Sequence, residues 1–446
     1  MIIAVYGAGY VGLVSAACLA KLGHYVICAD INDQRIASLL EGECPIYEKD
    51  LPELLQEQLA SGRLIFTTDL TLAIKEANVH IIATGTPSLP DGEADLSQVF
   101  AVASKIVHEA EGDCILVTKS TVPVGTGDAI QAQINAELLN SGKTFSISVA
   151  SNPEFLREGT AVDDFLNSDR VIIGGDEKGL KILESVYKPI SERNIPVLKM
   201  SLRSAELTKY SANAMLACKI SFMNQISQLA EELDANIDEI REGIALDHRI
   251  GPHFLQAGIG YGGSCFPKDV RALIQIAKSV KVNIGLLDAI EEINSLQKNW
   301  VVEQIRKHFS NKLAGLTIGI WGLAFKPGTD DMREASSLVA IKDLLKEGVI
   351  LRVFDPVAIP VTQQLLADSF EVTYCKSEEE VFSTKLDALI IATEWAQFKN
   401  FELCLLKNLL KGAPLFDGRN CFELRAVNAA QLPYYYSVGR PAIKRI

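Results

Sequence analysis

The chain has 446 residues, of which 48% are hydrophobic and 22% charged, and its formal net charge is −13. This length exceeds one ordinary hydrophobic core and predicts two or three domains, while the composition is that of a globular protein. The acidic balance argues against nucleic acid or an anionic membrane as the main partner, although a local basic patch would still bind an anionic small molecule.

The N-terminal residues 2–20 are almost uncharged, as in a signal peptide or a membrane span. No basic residue precedes them, and Gly7, Gly9 and Gly12 interrupt the run, so we expect no targeting segment. No other stretch has the length of a spanning helix. The nine cysteines form no CxxC pair and no Cys/His cluster, which favours reduced thiols in a cytoplasmic protein and no metal site.

Short β-rich runs alternate with amphipathic helical stretches through the first third of the chain. This alternation is typical of a parallel sheet covered by helices on both faces. The predicted strands are Ile2–Tyr6, Tyr25–Asp30, Val79–Thr84, Cys114–Lys119 and Ser146–Ala150, and the predicted helices include Val11–Leu22 and Ser97–Ala110.

The middle of the chain has a helical pattern. Ser204–Asn236 contains no Pro or Gly, and an unbroken helix of this length often connects domains and forms a dimer interface. Further helices are predicted around Asp238–Ala245, Lys268–Val280 and Leu286–Phe309.

After Ala314 the strand–helix alternation returns, with strands predicted at Leu316–Trp321, Ile350–Asp355, Ala388–Thr393 and Pro414–Asp417. A faint internal repeat accompanies it: the sequence Ile-Ile-Ala-Thr occurs at 81–84 and 390–393, and an aspartate ends the second strand of each part. We therefore predict an α/β protein with two Rossmann-like, doubly wound domains joined by a long central helix and a helical middle domain. The boundaries are 1–200, 201–312 and 313–446. The second sheet domain lacks the full glycine pattern, which predicts a ligand other than a dinucleotide.

A glycine pattern of the dinucleotide-binding type follows the first strand. In residues 7–12, Gly7 permits the tight turn, Gly9 lets the backbone approach a pyrophosphate, and Gly12 allows close helix–strand contact. The following helix offers free N–H groups to phosphates. Asp30, at the end of the second strand, favours NAD over NADP because a carboxylate binds the ribose hydroxyl and repels a 2′-phosphate. The alternative is a glycine turn in a sheet that binds nothing.

Two later loops, Gly85–Pro87 and Ser120–Pro123, also follow strand ends. Ligands of open α/β sheets bind at the carboxyl ends of strands, so both loops are expected to face the cofactor, although ordinary turns would have the same composition. Arg35 either stacks on adenine or is a solvated helix residue.

The segment Gly262–Asp269 is the most informative about chemistry. Pro267 fits the first turn of a helix. Cys265 then lies just before a helix N-terminus with Lys268 one turn away, and both features lower the pKa of a thiol. The alternative is a buried structural cysteine.

Two further pairs have helical i,i+4 spacing. Lys209 and Asn213 would share one face of the long helix, and Glu154 and Glu158 have the same separation. Each pair would also suit a plain solvated helix face. The six histidines form no ligand pair such as HExxH, so neither zinc catalysis nor Ser/His/Asp hydrolysis is supported.

Taken in order, these motifs resemble the UDP-glucose/GDP-mannose dehydrogenase family along almost the whole chain. The resemblance is weakest over the last twenty residues, and Gln225 stands where we would expect Glu. Further matching segments are Asn152–Gly159, Lys209–Ala214, Arg249–Gly251, Gly260–Asp269, Phe325–Arg333 and Asp417–Asn420.

The resemblance implies a four-electron NAD-dependent dehydrogenase, at least dimeric, with Cys265 as nucleophile. Lys209 and Asn213 would stabilise the oxyanion, and Asp269 and Glu154 would manage protons and water. The implied catalytic residues are Cys265, Lys209, Asn213, Asp269, Glu154 and Thr121. The implied cofactor-binding residues are Gly7, Gly9, Val11, Gly12, Asp30, Arg35, Thr86, Thr121, Glu158, Lys268 and Arg333. The implied substrate-binding residues are Glu154, Phe155, Leu156, Glu158, Lys209, Asn213, Phe254, Leu255, Gly258, Tyr261, Gly262, Phe325, Lys326, Arg419 and, from the neighbouring subunit, Arg249.

Three sugar nucleotides come into question within this family: UDP-glucose, GDP-mannose and UDP-N-acetylhexosamines. Phe266 after the nucleophile, and the loop Phe254–Tyr261 before it, resemble the branch acting on UDP-glucose, so oxidation of UDP-glucose to UDP-glucuronate is expected. Outside this family the alternatives are a hydroxyacid dehydrogenase with one hydride step and a non-catalytic sensor of NAD or nucleotide sugars. A hydroxyacid dehydrogenase would need neither Cys265 nor a second nucleotide-binding domain, and the Cys–Lys–Asp group argues against the sensor.

Overall fold

The structure is a computed structural model that describes residues 1–87, 89, 92–367 and 369–445. The chain divides into two compact units: residues 1–212 with 275–281, and residues 213–274 with 282–446. Each unit is built around one α/β sheet. Among the helices of the described residues, none combines the length and apolar character that a membrane crossing requires.

The sheet of the first unit consists of β1 (Ile2–Tyr6), β2 (Tyr25–Ala29), β3 (Leu64–Thr67), β4 (Val79–Ile82), β5 (Cys114–Thr118), β6 (Ile147–Ser151), β7 (Val171–Gly175) and β8 (Val197–Met200). Their order is β3-β2-β1-β4-β5-β6-β7-β8. All neighbours are parallel except β6 and β7. The order reverses between β1 and β4, which is the switch point where ligands of doubly wound sheets bind.

The helices of this unit cover both faces of the sheet. They are α1 (Tyr10–Lys21), α2 (Asp33–Leu40), α3 (Leu51–Ala60), α4 (Leu70–Glu76), α5 (Ser97–Glu109), α6 (Thr126–Ser141), α7 (Ala161–Leu166), α8 (Glu177–Val186) and α9 (Lys188–Ser191). Strand β1 shows why two layers form, because successive side chains of a strand point to opposite faces. Ile3 and Val5 pack in the core that contains α1, whereas Ala4 and Tyr6 pack in the core that contains α5.

The central helices begin with α10 (Leu202–Glu232), whose residues 202–212 belong to the first unit and the remainder to the second. They continue with α11 (Ile237–Ala245), α12 (Phe266–Ser279), α13 (Gly285–Gln297) and α14 (Trp300–His308). The single helix predicted over 286–309 is wrong. It divides after Gln297, where a turn at Lys298 and Asn299 separates α13 from α14.

The second sheet repeats the arrangement of the first. It consists of β9 (Thr317–Trp321), β10 (Ile350–Phe354), β11 (Val372–Tyr374), β12 (Ala388–Ile391), β13 (Leu415–Asp417), β14 (Tyr434–Ser437) and β15 (Ile443–Lys444). Its order is β11-β10-β9-β12-β13-β14-β15, and only β14 and β15 are antiparallel neighbours. The helices are α15 (Ser336–Lys346), α16 (Ile359–Leu365), α17 (Ala396–Lys399), α18 (Leu403–Leu410) and α19 (Leu424–Ala430). Two doubly wound sheets were predicted, and both are confirmed.

The two aspartates of the internal repeat occupy equivalent positions in the two sheets. Asp30 follows β2 and accepts the Ala8 N–H of the loop after β1, at 2.7 Å. Asp355 follows β10 and accepts the Leu323 and Ala324 N–H groups of the loop after β9, at 2.7 and 3.1 Å. In each unit a buried carboxylate therefore holds the first loop at the carboxyl edge of its sheet.

Candidate active site

The glycine loop between β1 and α1 is shaped by backbone contacts. Gly7 has φ +100°, and a Cβ there would lie 2.8 Å from the Ala83 carbonyl oxygen; at Gly12 it would lie 1.8 Å from the Gly7 carbonyl oxygen. At Gly9 no atom comes within 4 Å of such a Cβ, and no side chain caps α1. Open space thus lies before uncapped N–H groups, which fits a dinucleotide pyrophosphate.

Asp30 is buried beside this loop and retains capacity for a ligand. Its Oδ2 accepts the Ala8 N–H and, at 3.0 Å, the Arg35 guanidinium, and its Oδ1 accepts the Asn32 N–H at 2.9 Å. Each carboxylate oxygen has two lone pairs, so Oδ1 can accept a ribose hydroxyl as well. Arg35 is drawn to the same edge by this ion pair.

The two loops expected to face the cofactor lie together at the carboxyl edge of β4 and β5. The Thr86 hydroxyl donates to the Thr121 carbonyl at 3.0 Å, and the Ser120 hydroxyl donates to the Thr84 carbonyl at 2.7 Å. The structure therefore brings Thr86 and Thr121 together beside β4, one of the two strands that flank the switch point. Val11 is half-buried in the first turn of α1.

Glu48 joins two segments of this region, and the sequence analysis missed it. Its buried carboxylate accepts the Gly159 N–H at 2.6 Å, the Ala161 N–H at 2.8 Å and the hydroxyl of Tyr10. Burial, the hydrogen bond to Glu48 and the charge of Glu48 all raise the pKa of Tyr10. The glycine loop, through Tyr10, is thereby tied to the segment that carries Glu158. No periodic or spaced motif surrounds Glu48, so no signal marked it.

Glu154 and Lys209 form a buried ion pair in the first unit. Glu154 Oε1 and Lys209 Nζ are 2.8 Å apart, with side-chain exposures of 5% and 3%. Leu156 N–H donates to Glu154 Oε2 at 2.6 Å, and the Lys209 ammonium lies 5.4 Å from the Phe155 ring centroid. Burial alone would raise the pKa of Glu154, but the charge and hydrogen bond of Lys209, with the Leu156 N–H, hold it below its usual value.

The helix-pair interpretation of Glu154 and Glu158 is wrong. Residues 152–157 form an extended loop after β6, not a helix. Asn152 and Pro153 start that loop, and proline disfavours helix at the residue before it. Glu154 therefore turns inward to Lys209 while Glu158 stays half-buried.

In the second unit Cys265 immediately precedes α12. The Asp269 N–H donates to the Cys265 carbonyl at 2.9 Å, which closes the first turn, and the Ser264 Oγ lies 3.5 Å from the Cys265 Sγ. The thiol is partly exposed. A helix N-terminus favours the thiolate, so this position suits a nucleophile.

A group of polar side chains lies around Asp269, one turn into α12. Asp269 is 1% exposed; its Oδ2 accepts the Asn213 side-chain amide at 2.6 Å, and its Oδ1 pairs with Lys268 Nζ at 2.8 Å. Lys209 and Asn213 are one turn apart on α10; Lys209 pairs with Glu154, and Asn213 donates to Asp269.

The loop before Cys265 is held by side-chain amides. Asn294 accepts the Tyr261 N–H at 2.8 Å and donates to the Tyr261 carbonyl at 3.1 Å; Asn224 accepts the Gly258 N–H at 2.9 Å. A Cβ on Gly262 would lie 2.4 Å from the Glu334 carbonyl oxygen. The loop backbone is therefore fixed, as a rigid binding surface requires. Leu255 is buried within it, and Phe254 adopts φ +62°.

The remaining expected substrate residues have different surroundings. Arg419 donates to the carbonyls of Gly260 (2.9 Å), Ala392 (3.0 Å) and Phe325 (3.4 Å), and so braces three loops. Lys326 Nζ lies 5.5 Å from the Phe325 ring centroid. Two exposed arginines, Arg249 and Arg333, each pair with an aspartate two residues earlier, at 2.6 and 2.8 Å.

Comparison with known proteins covers nearly the whole chain. Models of the UDP-glucose/GDP-mannose dehydrogenase family match residues 1–191 (NAD binding domain), 203–296 (central domain) and 319–424 (UDP binding domain). The chain is 44% identical to a UDP-glucose 6-dehydrogenase of Pseudomonas aeruginosa, covering 99% of this chain and 98% of that one. It is 43% identical to the UDP-glucose 6-dehydrogenase YwqF of Bacillus subtilis, with the same coverage. A solved UDP-glucose dehydrogenase from Pyrobaculum islandicum is 37% identical, covers 95% of both chains and has a TM-score of 0.88.

Proposed function

We propose that this chain, which belongs to the UDP-glucose/GDP-mannose dehydrogenase family, is an NAD-dependent UDP-glucose 6-dehydrogenase. It converts UDP-glucose, two NAD+ and water to UDP-glucuronate and two NADH. The observation that carries the proposal is Cys265 at the N-terminus of α12, followed by the buried Asp269–Lys268 pair, in a chain 44% identical over its length to an enzyme of that name.

NAD is held in the first unit. The pyrophosphate lies against the glycine loop, where the open space at Gly9 faces the start of α1. Asp30 accepts a ribose hydroxyl with its remaining lone pair, and its charge excludes the 2′-phosphate of NADP. Thr86, Thr121 and the segment with Glu158 border the same site. When bound, NAD+ accepts a hydride from C6 of the sugar in each of two oxidations.

Cys265 explains how one enzyme performs both oxidations without releasing an aldehyde. The thiolate sulfur attacks the aldehyde carbon left by the first oxidation, and the oxygen becomes an oxyanion that takes a proton to give a thiohemiacetal. That adduct has a C–H bond in place for the second oxidation, which leaves a thioester on Cys265. Water then cleaves the C–S bond, and its electron pair returns to sulfur.

Four buried polar groups and the half-buried Thr121 serve the charged stages of this reaction. Lys209 and Asn213 donate to the oxyanion; loss of one such donor typically costs about 2.7–4 kcal/mol of transition-state stabilisation. Glu154, kept ionised by Lys209, accepts the proton of the hydrolytic water, with the Thr121 hydroxyl orienting that water. Asp269 handles the proton of the sugar oxygen.

The sugar nucleotide is bound largely by fixed backbone. The loop 254–262, braced by side-chain amides, surrounds the sugar, and the substrate's phosphates lie near Lys326. Arg419 acts mainly through the loops that it holds. An N-acetyl group would need more room against a fixed backbone, and an axial hydroxyl would meet mismatched partners.

The enzyme works as a homodimer, or a higher homo-oligomer, through α10, and residues 201–312 form its dimerisation domain. Met215, Phe222 and Leu229 on this helix, and Leu233 just after its end, are 50–67% exposed, at spacings of seven, seven and four residues. A stripe with this repeat suits pairing with another helix. Exposed Arg249 reaches the partner's substrate. All nine cysteines are free thiols, as suits the cytoplasm.

The test is NADH formation from a panel of nucleotide sugars, with a cysteine pair as control. UDP-glucose should give two NADH per molecule, and GDP-mannose and UDP-galactose should react at least about 100-fold more slowly in kcat/KM. Cys265→Ala should form no acid yet still bind UDP-glucose in calorimetry, while Cys404→Ala, which removes an exposed thiol, should behave as wild type. Equal kcat/KM for GDP-mannose would refute the substrate, and acid from Cys265→Ala would refute the covalent route.

A further inference from the structure

Lys119 is a buried cation that has no role in the proposed mechanism. It follows β5 and is 4% exposed. Its Nζ donates to the Asn152 Oδ1 at 3.1 Å and lies 5.3 Å from the Phe165 ring centroid. Asn152 is itself fixed, because its amide donates to the Ile172 carbonyl at 2.8 Å and its Oδ1 also accepts the Tyr187 hydroxyl. Within the described part of the chain no carboxylate contacts this ammonium directly, and burial of a charge without such a partner is costly, which suggests a functional reason for it.

A small cavity is lined both by this cation and by Glu154. It has a volume of about 40 Å³ and is partly open to solvent, and Lys119, Asn152, Glu154, Ser168 and Tyr187 are among the residues that line it. A space of this size admits ordered water, which needs two to four polar partners. The buried Ser168 Oγ has no hydrogen-bond partner within the part of the chain that the structure describes, and the Lys119 ammonium has donors beyond the one that Asn152 accepts. The lining is therefore that of a water site.

The charges around the cavity favour an ionised Glu154. Burial lowers the pKa of Lys119 to about 8, a shift that the Glu154 charge opposes and the Lys209 charge reinforces. Lys119 therefore stays cationic at neutral pH, and its charge is one of the causes that hold the pKa of Glu154 down. The other ionisable groups that face the pair are Lys209, Cys18, Asp164, Arg170 and Tyr187.

We propose that Lys119 is a positioning residue for Glu154, acting across this cavity through water that both side chains hold. The inference rests on the proposed function, in which Glu154 takes the proton of the water that hydrolyses the Cys265 thioester. The water oxygen bonds to the acyl carbon, its proton passes to the Glu154 carboxylate, and the C–S electron pair returns to sulfur. A protonated Glu154 cannot accept that proton, so loss of Lys119 slows this step as the pH falls.

The test compares the pH dependence of kcat in Lys119→Met, Lys119→Arg and Lys178→Met. Lys178 is an exposed lysine of the same unit that pairs with Asp113 and serves as the matched control. In Lys119→Met the acidic limb should move up by at least about half a pH unit. KM for both substrates should stay within about twofold of wild type, and the thioester should accumulate in quenched samples by intact-protein mass spectrometry. Lys119→Arg should move the limb back toward wild type, and Lys178→Met should not move it.

An unchanged pH profile in a folded Lys119→Met enzyme would overturn the proposal, as would a loss that is uniform across pH and accompanied by a raised KM. A high-resolution crystal structure of the wild-type enzyme tests it without any variant. Ordered water within hydrogen-bond distance of both Lys119 and Glu154 is expected, and a dry cavity would overturn the water bridge. Failure of the wild type to yield two NADH from UDP-glucose would instead refute the proposed function.

Discussion

Asp355→Asn should destabilise the second unit strongly and weaken UDP-glucose binding. The buried Asp355 carboxylate accepts five hydrogen bonds: Oδ1 from the N–H groups of residues 357 and 358, at 2.9 Å each, and Oδ2 from those of residues 323 and 324 and from the Trp395 indole, at 2.7–3.1 Å. An amide nitrogen cannot accept, so whichever way the substituted side chain turns, at least two donors lose their partner. At about 1.5–3 kcal/mol for each bond to a charged group, the loss is about 3–6 kcal/mol.

Thermal and urea unfolding would measure this loss, which should lower Tm by about 6 °C or more. Calorimetry should show weaker UDP-glucose binding with NAD binding retained, because Asp355 fixes the loop that leads to Phe325 and Lys326. Asp387→Asn is the matched control: this half-buried aspartate accepts one backbone N–H, from Thr317 at 2.8 Å, and its amide can turn its oxygen to that donor. A loss below about 1 kcal/mol in Asp355→Asn, or equal weakening of both ligands, would refute the reasoning.

Three further predictions concern NAD binding in the first unit and assembly through α10. Asp30→Ala should weaken NAD binding by about 10- to 100-fold and relax the preference over NADP; an unchanged ratio of kcat/KM for the two cofactors would contradict it. Gly12→Ala should abolish NAD binding, because its Cβ would lie 1.8 Å from a backbone oxygen, and near-normal binding in calorimetry would be incompatible with that contact. Phe222→Glu should shift the enzyme toward monomer in light scattering and reduce activity, whereas Leu139→Glu, at an 82% exposed position on α6, should not. A fully active Phe222→Glu monomer would count against assembly through α10.

The central strands could be predicted from the sequence because they are buried on both faces. Runs such as 79–82 and 388–391 are entirely apolar or nearly so, and each is fully buried. The strands that were missed are β3, the interior strand β7, β8, β11, β14 and β15. β8 is partly or fully exposed along its whole length, and β14 has the sequence Tyr-Tyr-Tyr-Ser, so neither gives a strong apolar signal.

Some features of the candidate site could likewise be predicted from the sequence, and others could not. Glycine spacing and the position before a helix are local properties, so the loop 7–12 and Cys265 could be recognised in the sequence. The polar partners of buried charges are not local: Glu154 meets Lys209 across 55 positions, and Asn213 meets Asp269 across 56. Lys119 stood at the end of a predicted strand without a spacing that marks it. Its burial and the cavity beside it arise only when the chain folds.

The hydrogen bonds of Glu48 affect the order in which parts of the chain fold during synthesis. Its carboxylate takes one donor from Tyr10, which is made early, and two from Gly159 and Ala161, more than 110 positions later. A nascent chain that ends before those amides would leave the buried charge with one of its three partners, at a cost that disfavours burial. The glycine loop therefore reaches its final form only after about 161 residues have left the ribosome, when the segment beside Glu154 closes over it.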